Sequence, residues 1–336
     1  MVTIYDIAKR CGVSPSTVSK VINNYHSIPD DTRKKVLKTM NEMNYIPNSQ
    51  AKFLSKGSSN NVGILAYFGM DISPFKHTLF TEILDSFQNE MNKNKYDLLF
   101  ISRIAGGKDE SFYKNCVSRN VDGVLLFGDL NCEEMSEVLK SNIPSIGFDY
   151  FGENSDGVST DNFEKTKLLT NHLISLGHRN IVYICGEHST FVTTDRINGF
   201  KAALEEHDIE FKEDMLVSSK YIDTNSVEEI TCQLLQRKNR PTAIMYPDDY
   251  SAISGIQTLK KLGFNCPNDI SITGFDGLAI SQMISPRLTT VKQDTVNIGI
   301  TLAKQLIKTM QTKKKGNSHI VVPGSIIYGE STKRIN

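Results

Sequence analysis

Short hydrogen-bonding side chains and one cation recur near the start of the chain, at Ser16, Thr17, Ser19, Lys20 and Asn23. Hydroxyl, amide and ammonium groups of this kind pair with base edges and with phosphate oxygens of double-stranded DNA. Helical spacing places them on one face and leaves the opposite face to Val18, Val21 and Ile22. Such a helix fits a major groove, although the spacing alone also fits an ordinary helical hairpin with a solvated face.

The flanking residues predict the elements that hold this face. Thr3 followed by Asp6 indicates a capping-box start for a first helix, and Gly12 indicates its left-handed end. Ser14 can cap the second helix, with Pro15 in its first turn. These features predict two short helices joined by a tight turn.

A third amphipathic helix is predicted over 32–43, capped by the Asp30-Asp31-Thr32 cluster, with an apolar stripe of Val36, Leu37, Met40 and Met43. Residues 1–60 hold nine basic and four acidic side chains, whereas the remaining 276 residues hold 29 basic and 34 acidic ones. A basic module on a mildly acidic body suits a partner that is polyanionic at one end only. Together these features favour a helix-turn-helix DNA-binding unit.

The rest of the chain alternates between apolar β-rich runs and amphipathic segments. The runs are 62–68, 97–102, 121–127, 144–148, 181–185, 243–246, 270–275 and 290–291. The helical candidates lie near 79–92, 109–118, 131–140, 162–176, 196–207, 226–236, 250–262 and 295–310. This alternation predicts an α/β body of two doubly wound parallel-sheet sub-domains, with ligand in the crevice at the carboxyl ends of the strands.

Several classes of function lack their sequence signals. The six cysteines are scattered without a Cys-x-x-Cys pair, which is typical of a reducing cytoplasm, and no apolar run is long enough for a membrane span. Nucleophile elbow, phosphate-loop and dinucleotide motifs are absent, and no histidine has metal-ligand spacing. We therefore expect a cytoplasmic protein that is not an enzyme and uses no metal or cofactor.

The first 57 residues resemble the headpiece of the lactose-repressor/galactose-repressor (LacI–GalR) family of bacterial transcription regulators. The resemblance rests on Val-Thr-Ile-Tyr-Asp-Ile-Ala, Gly-Val-Ser-x-x-Thr-Val-Ser, Thr-Arg-x-x-Val and Asn-Tyr-x-Pro-Asn, in the family's order and spacing. It extends over essentially the whole chain and implies a periplasmic-binding-protein-like body. The implied division is a headpiece over 1–57, a linker over 58–61, a first sub-domain over 61–160 and 291–320, and a second over 161–290 and 321–336.

The resemblance also assigns DNA-contacting positions. Base edges should be read by Pro15, Ser16 and Lys20, and the phosphate backbone should be contacted by Tyr5, Thr17, Ser19, Asn23, Thr32, Tyr45 and Asn48. Residues 48–55 should form a hinge helix only on operator, because so short a helix is unstable alone. Leu54 should then insert into a minor-groove base step and kink the DNA.

Ligand-binding positions follow in the same way. The family places an arginine at Arg196 and an aspartate at Asp276, and a planar Arg fork with a carboxylate suits sugar hydroxyls. A structural ion pair between the two residues is the alternative. Further candidates are Asp149, Tyr221, Phe80, Phe127 and Asp248, for each of which simple packing is an equal alternative. Many relatives have Asn at the position of Asp248, and a carboxylate cannot donate as that amide does.

We therefore expect a homodimeric repressor that binds a roughly palindromic operator and responds to a sugar-like effector. Three alternatives stay open. A phosphorylated carrier protein could replace the sugar as corepressor, the headpiece could contact protein instead of DNA, or the body could be an α/β enzyme. The absence of any catalytic motif argues against the last of these.

Overall fold

The computed structural model describes residues 2–46, 58–67, 74–102, 104–105, 108–109, 111–128, 133–150, 152, 155–186, 190–312, 314 and 316–335. The headpiece consists of α1 (Ile4–Cys11), α2 (Pro15–Ile22) and α3 (Asp30–Glu42). Ile7, Val18 and Val36 are fully buried at the centre of a small core that all three helices share. The three predicted helices are thus present and packed together.

The body contains two six-stranded sheets, one in each sub-domain. The first sheet has the order β13-β7-β6-β5-β1-β2, all parallel. Its strands are β1 (Asn61–Tyr67), β2 (Asp97–Phe100), β5 (Gly123–Gly128), β6 (Ser145–Phe148), β7 (Asp156–Thr160) and β13 (His319–Val322). A separate antiparallel pair is formed by β3 (Ile104–Ala105) and β4 (Lys108–Asp109).

The second sheet has the order β14-β12-β11-β10-β8-β9, parallel except for the edge strand β14. Its strands are β8 (Ile181–Cys185), β9 (Leu216–Ser218), β10 (Ala243–Met245), β11 (Ser271–Asp276), β12 (Thr289–Lys292) and β14 (Ser325–Ile327). The central strands β8 and β10 are fully buried and are continuous apolar runs, as expected for parallel strands covered by helices on both faces.

Helices cover both faces of each sheet, which confirms the doubly wound architecture. In the first sub-domain they are α4 (Thr78–Lys93) and α11 (Thr295–Thr312) on one face, and α5 (Phe112–Ser118) and α6 (Glu133–Lys140) on the other. In the second sub-domain they are α7 (Asn162–Ser175) and α8 (Phe191–Glu206), opposite α9 (Thr224–Gln236) and α10 (Asp249–Lys261). None of the described helices is both long and apolar enough to cross a membrane.

Three connections join the two sub-domains, after β7, β12 and β13. Hydrogen bonds link these connections to one another. Thr160 Oγ1 donates to Gln293 Oε1 at 2.7 Å, and the Gly324 N–H donates to Asp161 Oδ1 at 2.8 Å. A movement of one sub-domain against the other must therefore strain or break these hydrogen bonds between the connections.

Two of the three predicted boundaries between the sub-domains fall inside strands, and the third, at 160, coincides with the end of β7. Residue 291 lies within β12, which continues to Lys292 in the second sheet, and residue 320 lies within β13, which continues to Val322 in the first. The predicted apolar runs also do not include strands β3, β4, β7, β9, β13 and β14. β7 reads Asp-Gly-Val-Ser-Thr, and only its burial between two strands makes this polar segment part of the core.

Two helix starts differ from prediction. α3 begins at Asp30 and no side chain caps it, so the predicted Asp30-Asp31-Thr32 cap is wrong. Asp30 and Asp31 instead occupy the first turn, where carboxylates interact favourably with the positive end of the helix dipole. α8 begins at Phe191 rather than 196.

One residue of the predicted apolar stripe of α3 also differs from prediction. Leu37 is 45% exposed and therefore does not belong to the buried face of the helix.

Candidate nucleic-acid interface and effector site

Local hydrogen bonds fix the orientation of α1 and α2 in the headpiece. Thr3 and Asp6 form the predicted reciprocal capping box, with the Thr3 N–H donating to Asp6 Oδ2 at 2.8 Å. Gly12 ends α1 in the left-handed conformation, with φ of 65°. Ser14 Oγ then accepts the Thr17 N–H at 3.1 Å, and Pro15 opens α2. The turn between the two helices is therefore specified by adjacent residues.

The outer face of α2 has the predicted polar character. Ser16 and Lys20 are exposed, and Pro15 is half-buried beside them. Tyr5, at the start of α1, is 70% exposed, which is unusual for an aromatic side chain in a folded domain. Exposed hydroxyl and ammonium groups of α2 and a phenol group of α1 are thus available to a ligand.

The predicted phosphate-contacting residues differ in their availability. Thr17, Ser19, Asn23, Thr32 and Tyr45 are half-buried. Asn23 donates its amide to the Ser19 carbonyl at 3.0 Å, so part of its hydrogen-bonding capacity is used within α2. Asn48, Leu54 and the predicted hinge helix 48–55 lie outside the described residues.

Arg196 lies in the second turn of α8, and its side chain is 3% exposed. Its Nε donates to Asn162 Oδ1 at 2.8 Å, and its Nη1 donates to the Pro247 carbonyl at 2.9 Å. The guanidinium stacks on the Phe275 ring at 3.4 Å and lies 5.7 Å from the centre of the Tyr221 ring. These contacts hold the guanidinium plane in one orientation.

No carboxylate oxygen of a described residue lies within 4.0 Å of the Arg196 nitrogens. Asp149 and Asp276 nonetheless lie close enough for their charges to interact with it. The alternative of a direct Arg196–Asp276 ion pair is therefore not what the structure contains. Asp276 Oδ1 instead accepts the Gln293 amide at 2.8 Å.

Burial changes the proton affinity of these carboxyl groups. It raises the pKa of Asp149 to about 7, a rise that the charge of Arg196 opposes. Burial, followed by the charge of Asp249, raises the pKa of Asp276 well above its usual value. Asp149 Oδ1 is also buried without a hydrogen-bond partner, and both aspartates have a positive φ at the end of a strand.

Asp248 is held by the protein itself. Its carboxylate accepts the Ser251 N–H and hydroxyl, both at 2.8 Å, and the Ile222 N–H at 2.9 Å. It caps α10 and fixes the loop that carries Tyr221. Tyr221 is in turn bonded through its hydroxyl to Thr193 Oγ1 at 3.0 Å, so its ring forms a fixed wall beside Arg196.

The predicted aromatic contacts on the first sub-domain are core residues. Phe80 and Phe127 are each 1% exposed and meet edge to face, with ring centres 4.4 Å apart. Both belong to the apolar cluster between α4, α11 and the first sheet. Packing in the core, the alternative to ligand contact, therefore accounts for the positions of Phe80 and Phe127.

Three buried polar residues near Arg196 and Asp276 escaped sequence reasoning: Asn162, Asp249 and Gln293. Asn162 and Gln293 follow β7 and β12 at connections between the sub-domains, so strand prediction alone could have found them had β7 been recognised. Asp249 accepts the Leu278 N–H at 2.7 Å and the Thr290 hydroxyl at 2.6 Å. Its position beside the helix-capping Asp248 gave no signal of this role.

Residues 3–48 match the family model of bacterial regulatory proteins of the lacI family, and residues 170–332 match that of the periplasmic binding protein-like domain. The HTH-type transcriptional regulator DegA of Bacillus subtilis is 33% identical over 342 residues, covering 99% of each chain. The present chain belongs to the lacI family. It is therefore a DNA-binding regulator of transcription, as the headpiece motifs predicted, and its relatives are regulators rather than enzymes.

Further relatives agree over the full length. Catabolite control protein A of Priestia megaterium is 29% identical over 350 residues and covers 99% of each chain. Among solved structures, a lac repressor dimer bound to operator and an anti-inducer superposes with a TM-score of 0.83 at 24% identity, covering 99% of each chain. A CelR–cellobiose complex superposes with a TM-score of 0.72 at 21% identity, covering 98% of this chain and 100% of that one. These structural matches confirm the predicted fold.

Proposed function

We propose that this lacI-family regulator is a homodimeric repressor, and that an uncharged, sugar-like effector binds beside Arg196. The observation that carries the effector proposal is a buried guanidinium that has no ion-pair partner among the described residues. It lies near the buried carboxyl groups of Asp276 and Asp149, and one oxygen of Asp149 is buried without a hydrogen-bond partner. Buried polar groups are normally paired, so an arrangement of this kind is typical of a binding site.

The chemistry of the site favours hydroxyl groups. A fixed guanidinium fork donates to a vicinal diol, and Asp149 and Asp276 can accept from the same ligand. Protonated carboxyls, which their raised pKa values favour, both donate and accept as hydroxyls require. Tyr221 provides an apolar ring for the carbon face of a sugar.

The charge balance disfavours anionic effectors. One guanidinium lies among the carboxyl groups of Asp149, Asp248, Asp249 and Asp276. Even with these carboxyl groups protonated, the one positive charge of Arg196 does not balance a phosphate dianion, and any ionised carboxylate would repel it. The proposal therefore prefers sugars over sugar phosphates.

On the DNA side, Pro15, Ser16 and Lys20 would face base edges, and Tyr5 with its neighbours would contact the backbone. Among the solved relatives, the lac repressor structure is a dimer bound to operator and the CelR structure is a complex with cellobiose. These two structures support the proposal of a dimer and a sugar effector for the present chain. Effector binding would shift the relative position of the sub-domains through the bonded connections at Thr160, Gln293 and Gly324.

The effector proposal is tested by thermal unfolding and operator release with ribose, cellobiose, glucose and glucose 6-phosphate as probes. Arg196→Ala and Asp276→Ala should abolish the response to an active sugar while operator binding is retained, since each lost partner costs roughly 1–3 kcal/mol. Arg240→Ala is the matched control, because Arg240 also stacks on an aromatic ring, that of Phe264, but lies at the amino end of β10.

A normal sugar response in both single variants would remove Arg196 and Asp276 from the site. If a phosphorylated carrier protein, rather than any sugar, then tightened operator binding, the corepressor alternative would replace the sugar proposal. If a fragment beginning at Ser58 bound operator as well as the whole chain, the DNA-contact roles assigned to the headpiece would be wrong.

A further inference from the structure

The carboxylate of Asp122 accepts three hydrogen bonds from the segment where the chain enters the body. Its Oδ2 accepts the Ser58 hydroxyl at 2.6 Å and the Asn60 N–H at 2.7 Å, and its Oδ1 accepts the Ser59 N–H at 3.0 Å. Two consecutive backbone N–H groups pointing at one anion form a small anion-binding nest. Residues 58–60 follow directly on the segment that leads from the headpiece.

Backbone hydrogen bonds fix the next residues from both sides. The Asp122 N–H donates to the Asn61 carbonyl at 2.8 Å, and the Asp97 N–H donates to the Asn60 carbonyl at 2.8 Å. β1 begins at Asn61, between β2 and β5. Residues 58–60 precede the strand and have no ladder of their own, so the Asp122 side chain supplies the acceptors that a strand would otherwise provide.

We propose that Asp122 is a positioning residue for operator binding: it fixes the point at which each headpiece leaves the body. This inference rests on the proposed dimeric operator binding, because only two linked headpieces have a spacing to define. Without the carboxylate, residues 58–60 lose these three hydrogen bonds to the body. A less firmly fixed exit point lowers the effective concentration of the second headpiece at its half-site and broadens the distances it can span.

The probe is an operator duplex selected from random DNA by the full-length protein, together with versions lengthened at the centre by one and two base pairs. Wild-type protein should bind the lengthened duplexes much more weakly. Asp122→Ala should bind the parent operator about tenfold more weakly, as loss of charge-assisted bonds in a positioning element would cause, and its penalty for added base pairs should shrink severalfold.

Asp122→Asn keeps one acceptor oxygen, so its operator affinity and its spacing penalty should lie between those of wild type and Asp122→Ala. This variant also keeps the test possible if the alanine variant does not fold. Asp97→Ala is the matched control, because Asp97 is exposed on the neighbouring strand and its side chain takes no part in this network. Circular dichroism melts of each full-length variant show whether it folds. A loss of folding weakens binding to all duplexes alike, whereas a loss of positioning changes which spacing is preferred.

Equal spacing penalties in wild type and both Asp122 variants, at equal stability, would overturn the anchoring role while leaving dimeric operator binding intact. A wild-type protein indifferent to spacing would instead overturn the dimer proposal, and the inference with it. A relaxed spacing preference confined to the Asp122 variants is the result that the proposal requires.

Discussion

A single hydrogen bond across the cleft should bias the arrangement of the two sub-domains. Thr78, the first residue of α4, and Tyr250, in the first turn of α10, have their hydroxyl oxygens 2.7 Å apart. The Tyr250 ring packs against the core of the first sub-domain, and Leu278 of the second sub-domain is buried in the same core. Opening of the cleft must break this bond and expose these side chains.

The expected magnitude follows from the partial burial of both hydroxyls. Tyr250→Phe leaves a Thr78 hydroxyl that water can reach, so the net loss should be about 0.5–1.5 kcal/mol. Thr78→Val should cost a similar amount and preserves the β-branched shape. Because either change already breaks the bond, the double variant should lose less than the sum, with a coupling energy of about 1 kcal/mol. That corresponds to about a fivefold shift between the closed and open arrangements.

The assay is a double-mutant cycle in urea followed by circular dichroism, because the chain has no tryptophan. Small-angle scattering of the same proteins would report opening of the cleft. Thr231 and Tyr246 provide the matched control, since their hydroxyls lie 2.9 Å apart entirely within the second sub-domain. Additive losses at Thr78 and Tyr250, or an equal change in radius of gyration for the control pair, would refute the reasoning.

Three other predictions concern DNA contacts and pH. Lys20→Ala should cost about 1–3 kcal/mol on operator and little on random DNA in titrations at fixed salt. Equal losses of binding free energy on operator and on random DNA would indicate that Lys20 contacts phosphate instead of a base edge. Leu54→Ala should reduce both affinity and DNA bending in a phasing gel, because the wedge that offsets unstacking is removed; unchanged bending would rule out that role. Burial raises the pKa of Asp249 to about 7, above its value of 3.8 in an unfolded chain. The folded state therefore retains a proton that the unfolded state loses, and the free energy of unfolding should fall by about 1.4 kcal/mol per pH unit from this group between pH 4 and 7. Asp249→Asn should flatten that fall in melts across this range, and an unchanged slope would assign it to other groups.

The headpiece could be predicted almost completely from the sequence because its determinants are local. The Thr3–Asp6 capping box, the left-handed Gly12 and the Ser14 cap each depend on residues three or four apart, and all three are present. Both failures lie in α3: its start has no side-chain cap, and Leu37 is exposed although it was predicted on the apolar stripe. Strand–helix alternation likewise predicted the doubly wound body, because buried parallel strands are mostly apolar.

The hydrogen-bond partners of Arg196 and Asp276 could not be predicted from the sequence, because they depend on which side chains the tertiary structure buries together. Predicted strand ends indicated Asp149 and Asp276, and the family resemblance indicated Arg196 near the start of a helix. The sequence could not say whether Arg196 and Asp276 form an ion pair. Only the fold shows that Arg196 bonds to Asn162 and Pro247 while Gln293 holds Asp276. These partners come from connections far apart in the chain, and they are required because a buried charge or amide must find a partner wherever the packing places one.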